Sequence, residues 1–263
     1  MRLYAAVMTV VPDRALVRMT GPDAVAHLQS MVSNDVEAIP AGGGAYALLL
    51  TPKARVIADL EVFNTGGELV LACSPEVRDD LVDVLVRARF RKKVELEPAA
   101  GAVVWGEADG ALATLETPIG PYRLVEQAPS GNGAGEWEVA RIEAGIPRFG
   151  HEFGPDTMPA EAGLVDRAVS FTKGCYPGQE PIARLHYRGH ANRGLRGLEL
   201  AEPLSEPGVV VTGEREVGRA SSPVVSPRFG PISLAVLRRE VEDGAEVDVS
   251  GVRAVVRPLP FAA

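Results

Sequence analysis

The densest run of chemically capable side chains is Phe171-Thr172-Lys173-Gly174-Cys175-Tyr176-Pro177-Gly178-Gln179-Glu180. Cys175 follows a glycine, stands two residues after a lysine, and precedes the expected start of a helix. A nearby cation and a helix N-terminus each favour the thiolate, the nucleophilic and metal-ligating form of cysteine. A lone cysteine otherwise packs as a small hydrophobe. Gly174 and Gly178 favour the reactive alternative, because glycine suits a backbone that turns sharply or approaches a ligand closely. Cys175 is therefore the candidate reactive thiol and Lys173 its expected electrostatic partner. From Asp166 to Arg196 the chain carries six cations (Arg167, Lys173, Arg184, Arg188, Arg193, Arg196) against Asp166 and Glu180. With Tyr176, His186 and Tyr187 interleaved, this stretch suits a site that stacks a ring and neutralises carboxylates or phosphates. The alternative is that the arginines pair with acids elsewhere.

The rest of the chain narrows the chemistry. Its 263 residues hold 27 Lys+Arg against 35 Asp+Glu, a net charge of −8, which argues against a surface that coats nucleic acid. Cys73 and Cys175 are the two cysteines, so one chain offers no disulfide framework, all-cysteine zinc site or four-thiolate iron–sulfur cluster. A reducing compartment fits that usage. His27, His151, His186 and His190 lack diagnostic metal spacing, and no metal site is assigned. The phosphate-loop, G-x-S-x-G and H-E-x-x-H patterns are absent, since His151-Glu152 continues as Phe153-Gly154-Pro155. The apolar stretch Leu3 to Val11 stops at Pro12-Asp13 without a cleavage pattern, so no secretory leader is expected. No segment approaches the roughly 18 apolar residues of a spanning helix. A soluble, cytoplasmic protein without membrane contact is expected.

The elements that must position these residues are short. A strand over Ala15–Met19 leads through Thr20-Gly21-Pro22-Asp23 into a helix running to about Val32. Ala45–Leu50, Arg55–Phe63 and Glu68–Cys73 form an antiparallel meander. Ser74-Pro75-Glu76 starts a helix ending near Phe90. Its acids lead and its cations Arg87, Arg89, Arg91, Lys92 and Lys93 follow, as the helix dipole favours on a solvated helix. Strands over Val94–Glu97 and Ala102–Trp105 and a Gly/Ser/Asn-rich loop over Gln127–Gly135 come next. After a boundary near 195, strands at Gly197–Leu200, Val209–Thr212, Ile232–Leu237, Glu246–Val249 and Val252–Val256 alternate with turns, the pattern of a small antiparallel barrel or sandwich.

Lys173-Gly174-Cys175-Tyr176-Pro177-Gly178-Gln179-Glu180, with Ala183-Arg184 and Arg188-Gly189, resembles the K-G-C-[FY]-x-G-Q-E signature of the YgfZ family, relatives of the glycine-cleavage T-protein. The similarity covers nearly the whole chain. Thr20-Gly21-Pro22-Asp23-Ala24, Ser33-Asn34-Asp35-Val36 and Arg141-Ile142-Glu143-Ala144-Gly145-Ile146-Pro147 resemble further family segments. The resemblance implies an α+β fold: an aminomethyltransferase-like folate-binding region of antiparallel sheets with packed helices over 1–195, built as two interleaved subdomains, and a C-terminal β-barrel over 196–263. It implies a tetrahydrofolate-binding accessory factor for assembly or repair of iron–sulfur client proteins, affecting transfer-RNA modification indirectly. Asp59, in Ala58-Asp59-Leu60, matches the aspartate that lies against the folate nitrogens, and Arg141 an arginine of the folate pocket. Tyr176, Gln179, Arg184 and Arg188 complete the expected cofactor-binding set. The alternative to a ligand role for Asp59 is a solvated surface acid. The relatives' G-Y-T-G-E segment, which supplies a pterin-binding carboxylate, has no counterpart before Arg141, which counts against aminomethyl transfer. Two other readings stay open: a folate-dependent one-carbon transferase using Asp59, and a non-enzymatic RNA-binding module using the cations of 184–196.

Overall fold

The computed structural model describes residues 8–130 and 133–262. The leader question at residues 1–7, and positions 131–132 of the Gln127–Gly135 loop, lie outside the described residues. The chain divides into two compact units, residues 1–137 with 165–184 and residues 138–164 with 185–263.

The first unit contains β1 (Thr9–Val10), β2 (Ala15–Thr20), α1 (Ala24–Gln29), β3 (Gly44–Leu50), β4 (Val56–Asn64), β5 (Leu69–Cys73), α2 (Arg78–Ala88), β6 (Glu95–Pro98), β7 (Ala102–Trp105), β8 (Ala113–Leu115) and β9 (Tyr122–Val125). The expected meander forms an antiparallel five-stranded sheet in the order β3-β4-β5-β2-β6, beside a four-stranded sheet in the order β1-β7-β9-β8. Strand β4 is buried on both faces from Ala58 to Phe63. Ala58, Leu60 and Val62 occupy one face, and the two-residue period of a strand puts Asp59 and Glu61 together on the other. Helix α2 follows a single 3-10 turn at Pro75–Val77, with Asp79 and Asp80 in its first turn and Arg87 in its last. Leu81 and Leu85 anchor its inner face, each burial contributing on the order of 2 kcal/mol.

Helix α1 ends at Gln29, short of the expected Val32. The amide of Ser33 turns away to the Leu48 carbonyl, which leaves the Gln29 carbonyl for the Lys173 ammonium. Strands β8 and β9 are too short to announce themselves in the sequence. Helices α3 (Ala134–Glu143), α4 (Val165–Ala168) and α5 (Gln179–Arg188) follow, and α3 and α5 each carry the chain from one unit into the other.

The second unit is dominated by β10 (Arg193–Leu200), β11 (Gly208–Thr212), β12 (Arg215–Ser226), β13 (Gly230–Arg238), β14 (Glu246–Val249) and β15 (Val252–Arg257). They close into an antiparallel barrel in the order β10-β13-β12-β11-β14-β15, with β15 returning to β10. Closure removes the unpaired edges that an open sheet would expose. Leu198, Val210, Leu237, Val249 and Val256 fill its interior. Strand β12 is missing from the sequence reading because Gly218 and Ser221-Ser222-Pro223 interrupt its pattern. The chain accommodates them with a bulge between Ser221 and Val224, where Ser222 takes a left-handed φ of 52°.

Candidate functional site

The Lys173–Glu180 motif is a loop leading into α5, held by the Ser33-Asn34 turn. The Ser33 hydroxyl donates to the Ala168 carbonyl (2.5 Å) and accepts the Leu48 amide (2.9 Å), while the Asn34 side-chain amide donates to the carbonyls of Tyr46 (2.8 Å) and Arg167 (3.3 Å). Lys173 completes the clasp. Its Nζ donates to the carbonyls of Gln29 (2.5 Å), Val32 (2.6 Å) and Asn34 (3.0 Å). An ammonium has three donors, so all three serve backbone oxygens across the fold, where the sequence had suggested service to Cys175. Burial pulls the Lys173 ammonium down to about 8, against the opposing charges of Asp35 and Glu37.

Gly178 explains its own place in the motif. Its φ is 85°, and a Cβ there would lie 2.7 Å from the Thr51 carbonyl oxygen and 3.1 Å from the Ala54 Cα. Gly174 faces open space, so it has no comparable steric requirement. Cys175 is a free, exposed thiol, whereas Cys73 is buried at the end of β5. Burial, reinforced by Asp59, pushes the Cys73 thiol up to about 12. Of the two, Cys175 alone is available to a partner. Tyr176 lies with its ring centroid 5.2 Å from Lys173 Nζ, and its buried hydroxyl has no hydrogen-bond partner. Tyr176, Gln179 and Arg184 meet around a cavity of about 400 Å³, with Pro52, Gly178, Glu180 and Pro181. Arg188, exposed at the end of α5, falls in the second unit.

A second cluster forms on the acidic face of β4, also within the first unit. Asp59 is 1% exposed and Glu61 2%, so Asp59 is not the solvated surface acid of the alternative reading. Glu61 pairs in register with Tyr46 on β3 and with Ala72 on β5. Arg14, just before β2, donates through Nη2 to Glu61 Oε1 (2.8 Å) and Asp59 Oδ2 (3.3 Å), and the Tyr46 hydroxyl donates to Asp59 Oδ2 (3.1 Å). Asp59 Oδ1 and Glu61 Oε2 are buried without a partner. Burial pushes the Glu61 carboxyl up to about 7, with Arg14 opposing and Asp59 reinforcing the shift. Tyr122, on β9, accepts the Trp137 indole N–H at 2.8 Å. Its hydroxyl is raised to about 12 by burial and by the charge of Glu61. The Arg167 guanidinium lies 5.0 Å from the centroid of the Tyr46 ring. Two acceptors without donors, set among aromatic rings, suit a flat heterocycle rich in N–H groups.

Arg14, Tyr46, Glu61, Tyr122 and Trp137 were not among the residues expected from sequence. An available signal was the second acid, two positions after Asp59, in an otherwise apolar strand pattern. Arg141 is brought to neither cluster. It lies in the second unit with no exposure, pairs with Glu138, and donates to Glu152 Oε2 (3.1 Å), the Ile146 carbonyl (3.0 Å) and Ser222 Oγ (2.6 Å). Glu152 Oε1 accepts from Ser221 (2.8 Å) and Ser222 (2.6 Å), so Arg141 balances a closed polar network in that unit. Of the expected cationic stretch, Arg196 pairs with Asp243 at 3.2 Å. His27 is structural, its Nε2 set 2.9 Å from the Leu85 carbonyl. Among the described residues, no three His, Cys, Asp or Glu side chains gather as metal ligands, and no helix is long and apolar enough to cross a membrane.

No protein-family model matches the chain. The mouse (Mus musculus) protein named iron-sulfur cluster assembly factor IBA57, mitochondrial, is 30% identical over 92% of this chain and 82% of its own length. A protein of Yersinia pestis (strain Pestoides F) named tRNA-modifying protein YgfZ is 29% identical over 71% of this chain and 68% of its own length. An aminomethyltransferase of Moorella thermoacetica is 28% identical over 93% and 83%, respectively. The crystal structure of the glycine cleavage system aminomethyltransferase T from Bartonella henselae superposes with a TM-score of 0.79 at 17% identity, covering 97% of this chain and 86% of that one. That likeness establishes the aminomethyltransferase fold, including the C-terminal barrel. With the Lys173–Glu180 signature in its loop before α5 and that fold around it, the chain belongs to the family of aminomethyltransferase-like proteins that includes IBA57 and YgfZ.

Proposed function

We propose that this protein is an accessory factor in iron–sulfur protein maturation that binds a reduced folate, tetrahydrofolate, in its first unit and presents Cys175 to client proteins. The observation that carries the folate reading is the Asp59 carboxylate, with one oxygen satisfied by Arg14 and Tyr46 and the other buried without a donor. A buried charged acceptor left unpaired is costly, and the ring N–H groups of a reduced pterin would satisfy it. When bound, the folate would supply a carrier for one-carbon units. Tyr46, Tyr122 and Trp137 provide the aromatic surroundings. Exposed Arg184, and Gln179 beside it at the same cavity, are candidates for the tail carboxylates; Arg188 falls in the second unit. Arg141 is a poorer candidate, because Glu138 and Glu152 already balance its charge.

The names of the IBA57 and YgfZ relatives support the maturation role, and through iron–sulfur enzymes an indirect effect on transfer-RNA modification. With one thiol available, the chain acts on clusters carried by other proteins, Cys175 serving as a transient ligand. Two measurements test the reading. Tetrahydrofolate titrated into purified protein should bind, and Asp59→Asn should weaken it about 10–100-fold, the range of a charge-assisted hydrogen bond. Cys175→Ala should abolish support of iron–sulfur enzyme activity in cells lacking the protein while leaving its melting temperature unchanged. Absence of folate binding overturns the first half, and full support by Cys175→Ala overturns the second.

The buried Asp59 carboxylate also favours a second reading, a one-carbon transferase in which Asp59 positions or polarises the reacting nitrogen. Turnover of a one-carbon donor by purified protein with tetrahydrofolate, lost in Asp59→Asn, would establish it.

A further inference from the structure

The acidic face of β4 holds one carboxylate more than its cation can match. Arg14 Nη2 bridges Asp59 and Glu61, so two potential negative charges share one guanidinium. Each carboxylate has one oxygen bonded to this arginine and one, Oδ1 or Oε2, buried without a donor. Nearly all buried polar atoms of folded proteins find partners, and two orphaned acceptors on neighbouring same-face positions, beside the equally unpartnered Arg14 Nε, call for one rigid ligand that carries two N–H groups and an acceptor. A reduced pterin is such a ring. Its pyrazine half carries ring N–H groups, and its pyrimidine half presents an amidine-like edge of ring N–H and 2-amino group. Glu61 is an acid in the adjoining position of the strand that carries Asp59, opposite Tyr46 and close enough in charge to raise the Tyr122 hydroxyl.

We propose that Glu61, through its unpartnered Oε2, is the specificity-determining acceptor for the 2-amino-pyrimidine edge of the bound pterin. This inference rests on the folate reading above. Asp59 is left to face the ring nitrogens at the other half of the bicycle, and Arg14 is the positioning residue that holds both carboxylates in place.

Calorimetric titration under anaerobic conditions with two probes, tetrahydrofolate and its 2-desamino analogue, separates the two claims. At pH 8, above the Glu61 value of about 7, unaltered protein should prefer tetrahydrofolate over the analogue by about 30-fold or more, the penalty for leaving a buried charged acceptor without its donor. Glu61→Gln, which keeps the side-chain shape and an oxygen for Arg14, should bind tetrahydrofolate more weakly and lose most of that preference. Equal binding of the two probes by unaltered protein overturns the proposal, as does a preference that survives intact in Glu61→Gln. If Glu61→Gln does not fold, the comparison of probes on unaltered protein still decides. Failure of unaltered protein to bind either probe overturns the folate reading itself. Loss of binding in Asp59→Asn with the preference intact in Glu61→Gln overturns only the assignment of Glu61.

Discussion

Replacing Lys173 with methionine distinguishes a structural clasp from an electrostatic partner of the thiol. In the native protein the Lys173 ammonium donates to three carbonyls, those of Gln29, Val32 and Asn34. Methionine keeps the apolar stem and leaves all three without that donor. Orphaning a buried acceptor costs roughly 1–3 kcal/mol, and removing the ammonium returns its desolvation penalty. That penalty is roughly 3 kcal/mol, from a pKa drawn down from 10.5 to about 8. Three acceptors at the middle of that range cost about 6 kcal/mol, which leaves a net loss of about 3 kcal/mol, or a fall in melting temperature of about 6–12 °C for a chain of this size. Thermal denaturation followed by circular dichroism measures the loss. Hydrogen exchange should show the Leu48 and Ser170 amides, which bond to Ser33, losing protection. Reaction of Cys175 with a disulfide reagent should proceed at the native rate while the variant remains folded. A variant as stable as the wild type, with a markedly slower thiol reaction, would refute the clasp and restore the pairing that the sequence suggested.

Glu61 should shape the pH dependence of stability. Its folded pKa of about 7 lies above the ordinary 4.5, so the native state binds the proton more tightly. The corresponding stability is fully present below about pH 4.5 and is lost as pH rises through about 7, an effect of up to about 3 kcal/mol. Arg14, Asp59, Tyr46 and Tyr122 face this group, and urea midpoints should fall from pH 5 to pH 8 in the wild type but stay flatter in Glu61→Gln. Gly178→Ala should destabilise the protein by about 2 kcal/mol or more, from a left-handed φ and a Cβ 2.7 Å from the Thr51 oxygen; a melting temperature equal to wild type would contradict the close approach. Thiol titration should find one fast-reacting group in native protein, absent in Cys175→Ala, with Cys73 reacting only after unfolding. Arg141→Leu should cost about 3–5 kcal/mol by leaving Glu152 charged and buried, as a denaturation series would register.

The strands and the barrel were largely legible because their signals are local. Alternation over Arg55–Phe63 and turn residues between 197 and 256 predict elements that the structure contains, and Pro75 marks the start of the turn leading into α2. What escaped was interrupted or short: β8, β9 and the bulged β12. The functional loop was legible in part for the same reason, since the left-handed φ of Gly178 belongs to one turn, whereas its close approach to Thr51 and Ala54 comes from a distant segment. Its partners were not. Lys173 sits two residues from Cys175 but bonds to carbonyls 139 to 144 residues away. Asp59 reads from sequence equally as a solvated acid or a ligand group, and only the tertiary packing over its face of β4 buries it.

By itself, then, the sequence determined the repertoire: two thiols, a glycine-punctuated motif, a strand with an acid in it, a C-terminal set of short strands and a family likeness. The tertiary structure decided which of these groups meet. It sealed Cys73 away and left Cys175 exposed, committed Lys173 to the backbone, and closed Arg141 into a network with Glu152. It also drew Arg14, Asp59 and Glu61 together with two oxygens unmatched. The physical reason is that periodicity and turn preference act over a few residues, whereas burial, ion pairing and hydrogen-bond satisfaction depend on which distant segments the fold brings into contact.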